Sequence, residues 1–131
     1  MRIFKTRTLA KFTRQNGIND ESLIEAVERA KRGLIDAELG GQIIKQRVAR
    51  MGQGKRGGFR MLIGFGSDRA VYLFAFAKNE RENINNAELL TLREIAARFL
   101  NASKEQIANE LTNGNLIEVD NGDTNKKEGK S

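Results

Sequence analysis

The sequence predicts a small α+β domain in which two N-terminal helices pack on one face of a mainly antiparallel sheet, with one or two helices following. Three observations predict it. Leu23, Ile24, Val27 and Ala30 fall on one helical face. Residues 42–50 alternate, which is the period of a strand. Two apolar runs, Phe59 to Phe65 and Ala70 to Ala77, are split only by Gly66, Ser67 and Asp68, the pattern of a hairpin at the centre of a sheet.

Taken in order, Met1 to Phe4 reads as a short first strand, and Thr8 to Gln15 as helical turns that send Leu9 and Phe12 inward. Asn19 or Asp20 caps a helix running to about Arg32, and Gly33 stops it. Gly40 and Gly41 break the chain before the strand of residues 42–50. Burial of Ile44 and Val48 there sends Lys45 and Arg47 to the opposite face. Residues 51–58 form a glycine-rich basic loop ahead of the hairpin. After the polar stretch 79–86, Leu89, Leu92, Ile95, Ala96 and Phe99 define a helix from Ala87 to Leu100. Ser103 and Gln106 fit a capping box for a last helix ending near Leu111 or Thr112, and Leu116 to Val119 adds an edge strand. Residues 1–119 thus form one domain, and 120–131 read as a disordered polar tail.

Composition narrows the chemistry. The chain has 131 residues, no cysteine and no histidine, which removes disulfides, a thiol nucleophile and the usual neutral-pH acid/base. Carboxylates do not cluster in a metal-binding pattern, so no metal and no cofactor is expected. No apolar stretch approaches a membrane span and the opening residues lack a signal-peptide core, so no membrane contact and a cytoplasmic location are expected. The net charge of +6 is unevenly spread: residues 1–60 carry 14 basic and 6 acidic groups, residues 61–131 carry 9 and 11. A basic first half points to a polyanion partner.

The charge is densest from Lys45 to Arg60, which holds six Lys or Arg and no acid. Lys45 and Arg47, two residues apart on a strand, present two cations from a rigid element. Arg50, Lys55 and Arg56 lie in the loop, where Gly52, Gly54, Gly57 and Gly58 leave backbone N–H groups open to a phosphate. The loop is not a Walker A motif, because the final Lys-Ser/Thr is missing. Arg60, alternating with Phe59 and Met61, projects toward Lys45 and Arg47 and suits a bidentate phosphate clamp. Lys78 and Arg81 follow the last apolar strand, beside Glu80 and Glu82. Of the phenylalanines only Phe59 stands among basic residues in a way open to base stacking, while Tyr72, Phe65, Phe74 and Phe76 read as packing residues.

The string GGQIIKQRVARMGQGKRGGFRMLIGF, followed by YLFAFAKNERENI, resembles the RelE/HigB-like toxins of bacterial type II toxin–antitoxin pairs over about residues 1–100. The resemblance implies a RelE-like fold and a ribosome-dependent mRNA endonuclease that inhibits translation. It also implies a cognate antitoxin, and a toxin–antitoxin complex that binds operator DNA through that antitoxin. Carried over by motif, Lys45 and Arg47 match the basic strand, Lys55 and Arg60 the loop-to-strand cations, and Lys78 with Arg81 the basic end of the next strand. On that basis Arg60, Lys78 and Arg81 are the candidate catalytic residues, and Lys45, Arg47, Arg50, Lys55 and Arg56 the candidate RNA-binding ones. Better-studied relatives place a histidine or tyrosine near the cut phosphate. Here there is no histidine and the one tyrosine, Tyr72, is mid-strand, which leaves the general acid and base open. A non-catalytic nucleic-acid or ribosome-binding module, a docking face for an acidic protein and a gyrase-inhibiting toxin of related fold are the alternatives.

Overall fold

Ile3 and Phe4 are adjacent and both almost wholly buried, so the strand that carries them is covered on two sides. In the computed structural model, which describes residues 1–49, 58–81 and 83–120, that strand (β1, Arg2–Thr6) lies inside a sheet. The other elements are α1 (Arg7–Gln15), α2 (Asp20–Lys31), β2 (Ala37–Gly40), β3 (Ile43–Val48), β4 (Phe59–Phe65), β5 (Arg69–Ala77), α3 (Asn86–Leu100), α4 (Lys104–Thr112) and β6 (Leu116–Val119). Among the described residues six strands form one sheet in the order β2-β3-β4-β5-β1-β6. Only the β1–β5 pairing is parallel. The predicted α+β architecture is the one observed, with α1 and α2 on one face and both α3 and α4 on the other.

Each face has its own core. On the first, Leu9, Leu23, Ala26 and Val27 of the helices meet Ile44, Val48, Phe59, Met61, Ile63 and Tyr72 of the sheet. On the second, Leu92, Ala96, Phe99 and Ile107 meet Phe4, Ile43, Leu62 and Val71. At about 25 cal/mol per Å² of apolar surface, each fully buried Leu or Phe stabilises the fold by roughly 1.5–3 kcal/mol. Helix α3 approaches the sheet closely because Gly64 has no side chain; a Cβ there stands 3.3 Å from Ala96. Asn19 caps α2, and Asn85 with Glu88, like Ser103 with Gln106, forms a complete capping box.

Two features depart from the sequence reading. The break at Gly40 and Gly41 is a hairpin turn instead: Gly41 and Gln42 have φ of 61° and 64°, the two positive values of a tight turn joining β2 to β3. Strand β2, with only four residues and no apolar alternation, was not expected. Second, β5 does not alternate throughout. Leu62 pairs with Phe74 but Ile63 pairs with Tyr72, so Leu73 is an extra residue. This bulge leaves Tyr72 on the α2 face and transfers Phe74 and Phe76 to the opposite one.

Candidate nucleic-acid interface

Cross-strand register decides which cations meet. Arg47 of β3 stands directly opposite Arg60 of β4, Lys45 opposite Leu62, and across the next ladder Arg60 opposite Phe76 and Leu62 opposite Phe74. Paired residues share a face, so Lys45, Arg47 and Arg60 share one side with Phe74 and Phe76. Their strand neighbours Ile44, Val48, Phe59 and Met61 are buried beneath the N-terminal helices. Two arginines directly opposite each other repel, so this pair lowers stability. Among the described residues neither Lys45 nor Arg60 forms an ion pair, while Arg47 has a carboxylate at 3.6 Å from Nε, that of Asp36.

Arg81 joins the same face by another route. Its guanidinium lies 5.8 Å and 5.7 Å from the ring centroids of Phe74 and Phe76, a cation–π arrangement. It is not free, however. Arg81 donates to both oxygens of Glu88, at 3.2 and 2.5 Å, and to the carbonyl of Asn83. Hydrogen bonds from Arg81, and next from the Asn85 backbone N–H, hold the Glu88 carboxyl below its ordinary value, and Glu88 reciprocally raises Arg81. A cation read from sequence as available to substrate is thus pinned to the first turn of α3. Lys78 is exposed in the turn just beyond β5. Arg50, Lys55 and Arg56 lie outside the described residues, as does Glu82 and the tail from residue 121.

Phe59, the one aromatic read as open to stacking, is buried against Phe12 on the other face, with ring centroids 5.2 Å apart and planes at 84°. Tyr72 is buried as expected, and its hydroxyl donates to the Leu23 carbonyl at 2.5 Å. Burial pushes its phenol far above the usual value. Tyr72 therefore anchors α2 and stands away from the basic face.

What sequence reasoning missed is the support under β3. Gln46 is fully buried, yet its Oε1 accepts from the Asp36 N–H at 2.9 Å, and its Nε2 donates to the carbonyls of Ala26 and Leu34 at 3.0 and 3.1 Å. Arg29, held by Glu25 at 2.7 Å, donates to the carbonyl of Arg47. Together these bonds tie the strand bearing Lys45 and Arg47 to the end of α2. The one available signal was a glutamine at an inward position of an otherwise apolar strand face.

The class of protein so defined is an α+β fold with a helix-backed sheet whose second face carries clustered cations beside an aromatic pair. The family model described as the RelE toxin of the RelE/RelB toxin–antitoxin system matches residues 1–119, and the chain belongs to that family. It is accordingly the toxin of a toxin–antitoxin system, with a cognate antitoxin as partner. A search of curated proteins finds no match. Among the described residues no helix is long and apolar enough to cross a membrane.

Proposed function

We propose that residues 1–119 act as a single cytoplasmic toxin domain that cuts mRNA on the ribosome and so inhibits translation. The observation that carries this reading is the Arg47–Arg60 pair: two like charges held directly opposite, with Lys45 beside them. An arrangement that costs stability in the free protein becomes favourable when a phosphodiester lies across it.

The chemistry needs no nucleophile from the protein. An RNA 2′-hydroxyl loses its proton and attacks the adjacent phosphorus, the bond to the 5′-oxygen breaks, and that oxygen takes up a proton. The products are a 2′,3′-cyclic phosphate end and a 5′-hydroxyl end. Arg60 stabilises the charge that builds on the phosphate oxygens, while Lys45 and Arg47 hold the flanking backbone. Lys78, exposed past the end of β5, adds a phosphate contact. Arg81 has to share its guanidinium with Glu88, so its first role is to seat Phe74 and Phe76. Arg50, Lys55 and Arg56 complete the proposed RNA-binding set. The cognate antitoxin restrains the toxin by covering this face, and the complex reaches operator DNA through the antitoxin.

Mapping cut sites on an mRNA translated in extract, with wild type against Arg60→Ala, tests the proposal. Cuts that appear with wild type and vanish with the variant support it. The second reading, a module that binds without cutting, is favoured by Tyr72, whose hydroxyl is engaged by Leu23 and cannot serve at the phosphate. Translation arrest with intact transcripts is the result that selects it.

A further inference from the structure

Among the described cations of the basic face, Arg47 alone has both its backbone and its side chain held by groups from outside the sheet ladder. Its N–H donates to Oδ2 of Asp36 at 2.7 Å, its carbonyl accepts from Arg29, and its Nε lies 3.6 Å from that same Asp36 oxygen. Asp36 immediately precedes β2, whose first residue, Ala37, pairs with Lys45. Its carboxylate therefore takes the place that the next backbone carbonyl of β2 would occupy. Asp36 is itself fixed, because its N–H donates to the buried Gln46. The chain of bonds runs from the carbonyls of Ala26 and Leu34 through Gln46 and Asp36 to Arg47.

We infer that Asp36 is a positioning residue: it holds the Nε edge of the Arg47 guanidinium and leaves the terminal nitrogens to a phosphate of the RNA. The inference rests on the reading of this face as an RNA site. Half of the Arg47 side chain is exposed, and among the described residues its terminal nitrogens have no hydrogen-bond partner. Beyond hydrogen-bond distance, the carboxylate attracts the guanidinium without occupying its donors. An arginine whose fork is oriented in advance loses less freedom on gripping a phosphate than a freely rotating one.

Simple electrostatics predicts the opposite sign, since removing an anion from a cationic face tightens polyanion binding. A purely structural role predicts something else again, because an asparagine still offers an oxygen to the Arg47 N–H. The test uses the full chain with Asp36→Asn, Arg47→Ala and the double variant. Two readouts are measured: mRNA cleavage in a translating extract, and affinity for a single-stranded oligoribonucleotide. Positioning predicts that Asp36→Asn keeps the wild-type unfolding midpoint, cuts about tenfold more slowly and binds RNA less tightly, with no further loss when Arg47 is already alanine. Wild-type or faster cleavage by Asp36→Asn, or an equal loss in both Arg47 backgrounds, overturns it. If wild type fails to cut, the endonuclease reading falls, and the affinity cycle still decides the role of Asp36: coupling to Arg47 sustains it and tighter binding ends it.

Discussion

The two sides of β3 and β4 share one backbone yet solve the problem of polar groups in opposite ways. Beneath the N-terminal helices, Gln46 has every described polar neighbour matched, Tyr72 donates to Leu23, and Arg29 is spent on Glu25 and the Arg47 carbonyl. On the other side Arg47 faces Arg60 and Lys45 has no described counter-charge. Burial makes an unsatisfied group expensive, so the first side is closed; exposure to solvent makes it tolerable, so the second can be left open for a ligand. The same contrast appears among the other cations. Arg2 is paired with Glu118, Lys5 with Asp20 and Arg69 with the carbonyls of Phe99 and Ala102, all on β1 and β5 and none on β3 or β4.

That contrast is broken most forcefully from the open side. Replacing both Lys45 and Arg47 with alanine should weaken single-stranded RNA binding by about 100-fold, from two lost charge-assisted contacts of roughly 1.5 kcal/mol each. The slope of affinity against salt should fall by about 1.4, and chemical denaturation should show no loss of stability. A stability loss would mean the face is structural. From the closed side, Gln46→Ala leaves the Asp36 N–H and two carbonyls without their partner and should cost about 2–3 kcal/mol in urea unfolding. It should also impair RNA binding, through Asp36.

Tyr72→Phe should cost about 1 kcal/mol and leave cleavage untouched, since its hydroxyl serves Leu23. A phenol raised in the folded state adds stability that is fully present below the ordinary value of 10.0 and is lost as pH rises beyond it. A spectroscopic alkaline titration should therefore show its ionisation only together with unfolding. The smallest effect belongs to Glu88→Gln. Because the folded carboxyl is depressed, its stabilising contribution is present above the ordinary 4.5 and fades as pH falls through the lower folded value. The stability difference between wild type and this variant should accordingly be larger at pH 7 than near pH 3.

Much of this was legible because it is local. The bounds of β4 follow from apolar residues flanked by glycines, the capping box of α4 from Ser103 and Gln106 three residues apart, and the shared face of Lys45, Arg47 and Arg60 from the two-residue period. What escaped was non-local. Strand β2 exists because β3 offers it an edge, β1 runs parallel to β5 through a register no local signal encodes, and the ion pair of Arg81 depends on how the turn after β5 folds back onto α3. Gln46 was passed over because its three partners come from Ala26, Leu34 and Asp36, which only tertiary packing gathers.

Leu73 sets the phase of everything that follows it in β5. Straighten the bulge while keeping that residue and the strand regains strict alternation, turning the rings of Phe74 and Phe76 inward beneath α1 and α2 and stranding Arg81 without its seat. The distinction between the sealed and the open surface of this toxin is in that sense a counting problem, kept correct by the bulge at one leucine.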